Sequence, residues 1–362
     1  MKNSLYFLLL LAVSLSFGSC DEKHDKKDKK EKKDPLPSWN DTQIKTQLID
    51  YVKRAKNEIP KDDRVAVFDM DGTVACEAPL WFEMAVAVQG MMDQLKQDSS
   101  LISKTEYKYA QMLSVNPSDT AVTNHWVVGG VNYLDSIVLK AFAGKTSEEY
   151  IAYARNYLTT TQAPRFDRPY AQLFYQPMLE LLEYLDDAKF DIYIVSGSLT
   201  GTVWSICPQT LDMDRDQLIG TRQVKIPVYG ADGTKFVLQK SVYEPKNDGN
   251  GKSVNIYDQI GKIPVFAFGN TAGDFGMFHM ASSSSYPHMA LMLNHDDAER
   301  EYAYPPYHGK AVPAWQDSMR VNKWITVDMK SAFKTVWMTE HKADKKDKKD
   351  HKDKKEKKDK KD

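Results

Sequence analysis

The sequence predicts an α/β fold: a doubly wound parallel sheet, Rossmann-like, with a helical domain inserted after its first strand. Three observations carry this. Short apolar runs at 64–68, 190–195 and 263–268 are rich in Val, Ile and Phe, as strands buried on both faces are. Amphipathic segments separate later runs, which calls for parallel βαβ units. The stretch between the first two runs is far too long for a single crossover and reads as helical.

The chain opens with Lys2, an apolar run at 5–15 and the small residues Gly18 and Ser19, the pattern of a secretory signal peptide over 1–19. The run is shorter than the roughly 18–20 residues of a membrane span. Cys20 follows directly and resembles the lipidated cysteine of bacterial lipoproteins. That resemblance implies export and a lipid anchor in the outer membrane, at its periplasmic face or the cell surface. An ordinary signal with an incidental Cys20 is the plainer alternative. Residues 20–38 then read as a charged, disordered tether and 342–362 as a Lys/Asp-rich disordered tail, since neither offers material for a core.

These ends distort the overall charge. The tail carries 12 Lys against 7 acids and the segment 21–34 carries 7 Lys against 6. With Lys2 also set aside, a chain total of −1 leaves about −8 on the folded part. Nothing there marks a nucleic-acid partner. Cys76 and Cys207 lack the spacing of a zinc site, and the sequence leaves open whether they pair or pack as thiols.

Within the folded part, Ile44, Leu48, Val52 and Ala55 place an apolar stripe on an opening helix. The core is expected at 39–79 and 164–341. Helices at 82–88, 104–113 and 148–158 would make up an inserted cap over 80–163. Pro177 starts a further helix over 178–185, and Asp232-Gly233 signals a hairpin turn. Trp81, Phe82, Trp126 and Tyr133 could line a pocket in the cap, although such residues are more often core. His279, His288 and His295 have no ligand spacing and are expected to serve structure.

In open α/β sheets ligands bind beyond the carboxyl ends of the strands, so each run should deliver something at its end. The first delivers Asp69 and Asp71, followed by Gly72 and Thr73. The second delivers Ser196-Gly197-Ser198, expected to open a helix whose free N–H groups favour an anion. The third delivers Asn270 and Asp274, oxygen ligands of the hard-cation type. Gly251-Lys252 stands before it, in a polar loop leading to a helix. Singly, each has a bland alternative: a capped turn, a loop hydroxyl, a solvated lysine, a helix cap. Together and in this order they suit a phosphate and a divalent metal.

The ordered elements DMDGT, VSGS, GK and GNTAGD, spanning 69–274, resemble the haloacid dehalogenase superfamily, in its phosphoserine-phosphatase-like branch with a helical C1-type cap. The resemblance implies an Mg²⁺-dependent phosphatase acting on small phosphorylated substrates. Asp69 would be the nucleophile, forming an aspartyl-phosphate, and Asp71 the general acid and base. Ser196, Gly197 and Lys252 would bind phosphoryl oxygens. Asp69, Asp71 through its carbonyl, Asn270 and Asp274 would serve the metal. The acid two residues after Asp69 favours a phosphatase over a dehalogenase, which has no leaving alkoxide to protonate. Asn270 departs from the family's acid at that position, leaving either it or Asp274 as the direct ligand. Rival readings are a pyrophosphatase or phosphotransferase of the same fold, and a non-catalytic surface binding lipoprotein.

Overall fold

The computed structural model describes residues 34–118, 127–128, 131–304 and 315–339. The expectations for the signal peptide, Cys20, most of the tether, Trp126 and the tail concern residues outside these.

The first strand, β1 (Val65–Phe68), is buried along its whole length. Its side chains alternate between two apolar clusters. Ala66 and Phe68 join Phe266 and Phe268 on one face, while Val65 and Val67 join Ala267, Met277 and Phe278 on the other. Period-two alternation between two dry faces leaves no position for a polar residue. The next strands are a short ribbon, β2 (Val127–Val128) and β3 (Val131–Asn132), then β4 (Asp191–Leu199) and β5 (Leu218–Thr221). A hairpin of β6 (Gln223–Gly230) and β7 (Gly233–Val242) follows, turning at Asp232-Gly233 with Gly233 at φ 100°. β8 (Phe266–Gly269), β9 (Met289–Asp296), β10 (Ala303–Tyr304) and β11 (Ile325–Asp328) complete the set.

Among the described residues the main sheet runs β10-β9-β8-β1-β4-β5, with β11 also paired to β9. All its pairings are parallel except that of β10. The chain leaves β1 for β4 on one side and later reaches β8 on the other. The topological reversal is therefore at β1, and the carboxyl ends beside it are where open α/β sheets bind ligands.

Helix α1 (Gln43–Glu58) is capped by the Thr42 side chain and buries Leu48, Val52 and Ala55 as the apolar stripe requires. Between β1 and β4 stand α2 (Phe82–Gln97), α3 (Thr105–Val115), α4 (Tyr133–Ala141) and α5 (Ser147–Thr160). Sequence reading stopped α2 and α3 short and overlooked α4. Helix α5 starts in a capping box between Thr146 and Glu149. After it come α6 (Gln176–Asp187), α7 (Thr200–Leu211), α8 (Asn250–Ile260), α9 (Phe275–Ser282), α10 (Trp315–Val321) and α11 (Met329–Ala332). No helix among the described residues is long and apolar enough to cross a membrane.

Two connections tie distant parts together. The hairpin reaches the inserted helices, where the Leu238 N–H donates to the Lys145 carbonyl and the Gly144 N–H donates to that of Leu238. The last described segment folds back on the core: Trp39 pairs with Phe333 and Tyr175 with Trp337, and the Met338 N–H donates to the Phe174 carbonyl.

Several expectations need correction. Leu36, assigned to the tether, is fully buried, because the chain is already anchored where the Ser38 N–H meets Glu180. Ser196-Gly197-Ser198 lie inside β4, not at the start of a helix; α7 begins only at Thr200. Lys252, expected in a polar loop before a helix, sits in the first turn of α8 and is buried, which removes the solvated-lysine alternative. For Cys76 and Cys207, where the sequence left both outcomes open, the outcome is two separate buried thiols.

Candidate active site

Strand β1 ends where the Asp69 N–H donates to the Phe268 carbonyl, extending the ladder by one residue. The chain then turns tightly. The N–H groups of Thr73, Val74 and Ala75 all point at the Met70 carbonyl, and that of Gly72 donates to Ala75. Gly72 takes φ 78°, a left-handed conformation that glycine adopts without cost. A Cβ there would collide with the Asn270 amide and the Glu77 carboxylate. The loop thus returns against the end of β8.

The two aspartates enter different surroundings. Asp69 Oδ1 receives the Lys252 ammonium at 2.6 Å, and its Oδ2 lies 3.2 Å from the Thr73 hydroxyl. Asp71 Oδ2 accepts from the Ser198 hydroxyl at 2.8 Å and from that of Ser196 at 3.2 Å. Burial raises the pKa of both. For Asp69, Lys252 opposes the rise, while Asp274 and Asp71 add to it. Asp71 is pushed up to about 6, with the Ser198 hydroxyl opposing. One carboxylate is held by a cation and the other by neutral hydroxyls at an acidity suited to proton transfer.

Lys252 bridges Asp69 and Asp274, at 2.7 Å from Asp274 Oδ1. Burial works against its charge, but the Asp274 and Asp69 carboxylates outweigh it and raise the lysine's pKa. The other Asp274 oxygen accepts the N–H groups of Asn270 and Thr271 at 2.8 and 2.9 Å. Both oxygens are thus engaged by the protein: Asp274 shapes the turn after β8 and holds the lysine.

Asn270 is oriented by its partner. Its Nδ2 donates to Glu77 Oε1 at 2.6 Å, and a carboxylate can only accept from it. That turns the amide oxygen toward the Thr73 hydroxyl, 3.4 Å away. The hydroxyl has one proton and two acceptors in reach, Asn270 Oδ1 and Asp69 Oδ2, so one of them always lacks a donor there. Asp71 Oδ1 is buried with no hydrogen-bond partner. Among the described residues no three His, Cys, Asp or Glu side chains form a metal cage. The available donors are instead a carboxylate, an amide oxygen and the Asp71 carbonyl. With Asp69 and Asp274 paired to one ammonium and Asp71 close by, this all-oxygen set fits a hard cation.

The structure therefore brings Asp69, Lys252, Asn270 and Asp274 into one hydrogen-bonded group at the ends of β1 and β8, with Asp71 and Ser196 in a second group beside it at the end of β4. Gly197 lies on β4 beside them, its carbonyl accepting from the Thr221 hydroxyl at 2.7 Å. Four contributors had been given no role of their own from the sequence. Ser198 bonds Asp71 more closely than Ser196 does, and its place two residues on in the same strand was the available signal. Asn247 donates its amide to the carbonyls of Ser196 and Ile219, tying the segment before Lys252 to two strand ends. Glu77 had no signal at all. Glu83, on α2, accepts the Leu199 N–H at 2.6 Å and the Thr202 hydroxyl at 3.3 Å. The backbone donor expected to greet an anion is thus taken by a carboxyl from the insert. Burial raises Glu83 to about 8.

The aromatic residues offered as pocket lining divide. Phe82 is core, packed on Tyr170 and Phe174, and Tyr133 stacks edge-on against Tyr109; Trp81 is partly buried. His279 packs against Trp324 and His288 is exposed. His295 comes unexpectedly close, with Nε2 2.7 Å from the Gly72 carbonyl.

No protein-family model matches this sequence, and no curated protein does. Solved structures do. A conserved protein of unknown function from Anaerococcus prevotii is 14% identical, matching 81% of this chain and 94% of its own, with a TM-score of 0.50. A phosphoserine phosphohydrolase-like protein from Francisella tularensis is 13% identical over 72% of this chain and 94% of its own, TM-score 0.39. A HAD-family hydrolase from Salmonella enterica serovar Typhi is 14% identical over 70% of each chain, TM-score 0.35. At such identities the likeness speaks for the fold alone.

Proposed function

We propose that this chain, an α/β core of the haloacid dehalogenase type with a helical insert, is a magnesium-dependent phosphatase of small phosphomonoesters. The observation that carries the reading is the division of labour between Asp69, paired with Lys252, and Asp71, cradled by two serine hydroxyls.

Asp69 attacks phosphorus through a carboxylate oxygen, and the bond from phosphorus to the ester oxygen breaks. Asp71 gives its proton to that departing oxygen. Water then attacks the aspartyl-phosphate, Asp71 takes the proton, and phosphate leaves with Asp69 restored. Lys252 and the Ser196 hydroxyl, beside Gly197, balance charge on the phosphoryl oxygens. Asp69, the Asp71 carbonyl and Asn270 Oδ1 would hold Mg²⁺, with Asp274 keeping Lys252 in place. Bound there, the ion offsets repulsion between carboxylate and phosphate.

Export and a lipid anchor at Cys20, placing the enzyme on the outer membrane, complete the proposal and are supported by the leader and the charged segment after it. Phosphate release from a panel of phosphate esters, with and without Mg²⁺, tests the activity. Release that vanishes in Asp69→Asn is expected; a folded protein silent on every ester would sink the reading in favour of a binding role. Globomycin-sensitive processing and loss of membrane association in Cys20→Ser test the anchor.

A further inference from the structure

Behind the loop that carries Asp69 and Asp71 lies a second buried polar cluster, which the reaction above does not use. His295 lies one residue before the end of β9, with both ring nitrogens engaged. Nε2 is 2.7 Å from the Gly72 carbonyl, and Nδ1 is 3.1 Å from Glu301 Oε2. The two side chains are 1% and 0% exposed. A carbonyl oxygen only accepts, so Nε2 carries a proton.

Glu301 decides the other nitrogen. Its Oε2 also accepts the Tyr302 N–H at 2.7 Å, while Oε1 accepts the Tyr175 hydroxyl and the Cys76 thiol, each at 3.1 Å. Three donors around two oxygens, before His295 is counted, are the surroundings of an ionised carboxylate. Facing that carboxylate, Nδ1 also donates. The Tyr304 ring stacks on the imidazole at 4.2 Å and 16°, a face that a cation favours.

We propose that His295 and Glu301 are a positioning pair for the nucleophile loop, with His295 a doubly protonated ring that fixes the Gly72 carbonyl. The proposal rests on the phosphatase reading for its catalytic consequence. Gly72 is then gripped at both ends, its N–H by the Ala75 carbonyl at 2.7 Å and its carbonyl by the imidazolium. With that peptide fixed, Asp71 on one side and Thr73 on the other keep their places relative to Asp69. Neither His295 nor Glu301 touches the reacting atoms in this arrangement. Loosening the pair misplaces groups without removing any.

The expected signature is a fall in kcat with KM little changed. His295→Ala should lower kcat about a hundredfold, the scale of an ångström-sized misplacement. Glu301→Gln keeps the shape but removes the charge that holds the second ring proton, and should fall between it and wild type. His295→Gln, which can still donate to Gly72, should recover part of the His295→Ala loss. Variants that keep wild-type kcat while the wild type hydrolyses an aryl phosphate would overturn the pair's role and spare the phosphatase reading. Nitrogen-15 NMR of histidine-labelled full-length protein at neutral pH reads the ring directly. Two protonated nitrogens at His295 support the pair and a single one overturns it. That measurement uses the unaltered protein, so it decides even where a variant misfolds or the wild type proves silent on every ester.

Discussion

Asn270 Nδ2 lies 2.6 Å from Glu77 Oε1, so a carboxylate stands one hydrogen bond away from the position where an acid was expected. The negative charge missing from residue 270 is present next door. Asn270→Asp would set two carboxylates against each other in a buried site and cost about 1–3 kcal/mol, the usual penalty for such a lost and repelling contact. Adding Glu77→Gln should recover most of that, because the roles are then exchanged. Urea unfolding of the two single variants and the double one measures this. Simple additivity would show that the pair does not interact.

Lys252 is the cation between Asp69 and Asp274. Lys252→Met leaves two buried carboxylates facing each other and should cost about 3–5 kcal/mol, as removal of one partner from a buried ion pair does. The same variant should lose phosphatase activity outright. A melting temperature equal to wild type would refute this account of the site's charge.

Glu83 supplies a pH dependence. Its pKa is raised from 4.5 to about 8 by burial. Between those values the folded protein holds a proton that the unfolded chain has released, so stability is lost as pH rises through that window. One proton corresponds to a slope of about 1.4 kcal/mol per pH unit. Glu83→Gln keeps an oxygen for the Leu199 N–H and should flatten the slope, leaving the variant more stable than wild type at alkaline pH. Denaturation from pH 5 to 9 reads the difference, and parallel curves for the two proteins would contradict it.

Gly72 combines a left-handed φ with no room for a Cβ. Gly72→Ala must strain the backbone or break the Asn270–Glu77 bond. The expected cost is about 1–3 kcal/mol, with a loss of activity larger than the stability change explains. Thermal melts and phosphate release, taken together, separate the two effects.

Much of this architecture was legible because burial leaves a composition mark. The strand before Asp69, Val65–Phe68, contains no polar residue because both its faces are dry, and the site's groups stand at or near the ends of apolar runs. Glu77, Asn247 and Glu301 left no such mark. Each acts through partners distant in sequence: 193 positions separate Glu77 from Asn270 and 225 separate Glu301 from Cys76. Local patterns cannot register such distances. Lys252 was expected in the site, but its placement in a loop differed for a related reason: its surrounding residues are those of an exposed loop, and only the fold brings the Asp69 and Asp274 carboxylates over it. The boundary between β4 and α7 failed for a different reason, since small residues suit a strand end as well as a helix start.

The pairing of Trp39 with Phe333, and of Tyr175 with Trp337, also has a consequence for biosynthesis. Trp39, among the first residues of the core to leave the ribosome, can bond the Pro177 carbonyl midway but meets Phe333 only near the end of the core. Until then the face that Trp39 and Tyr175 cover stays open, and the sheet cannot be sealed. Such late, non-local closure is slow and suits a chain that remains unfolded until synthesis ends. It also brings the two ends of the core side by side. A circular permutant joining them through a short linker, and opened at the exposed Asp232-Gly233 turn, would keep every strand pairing described while reversing the order in which they are made.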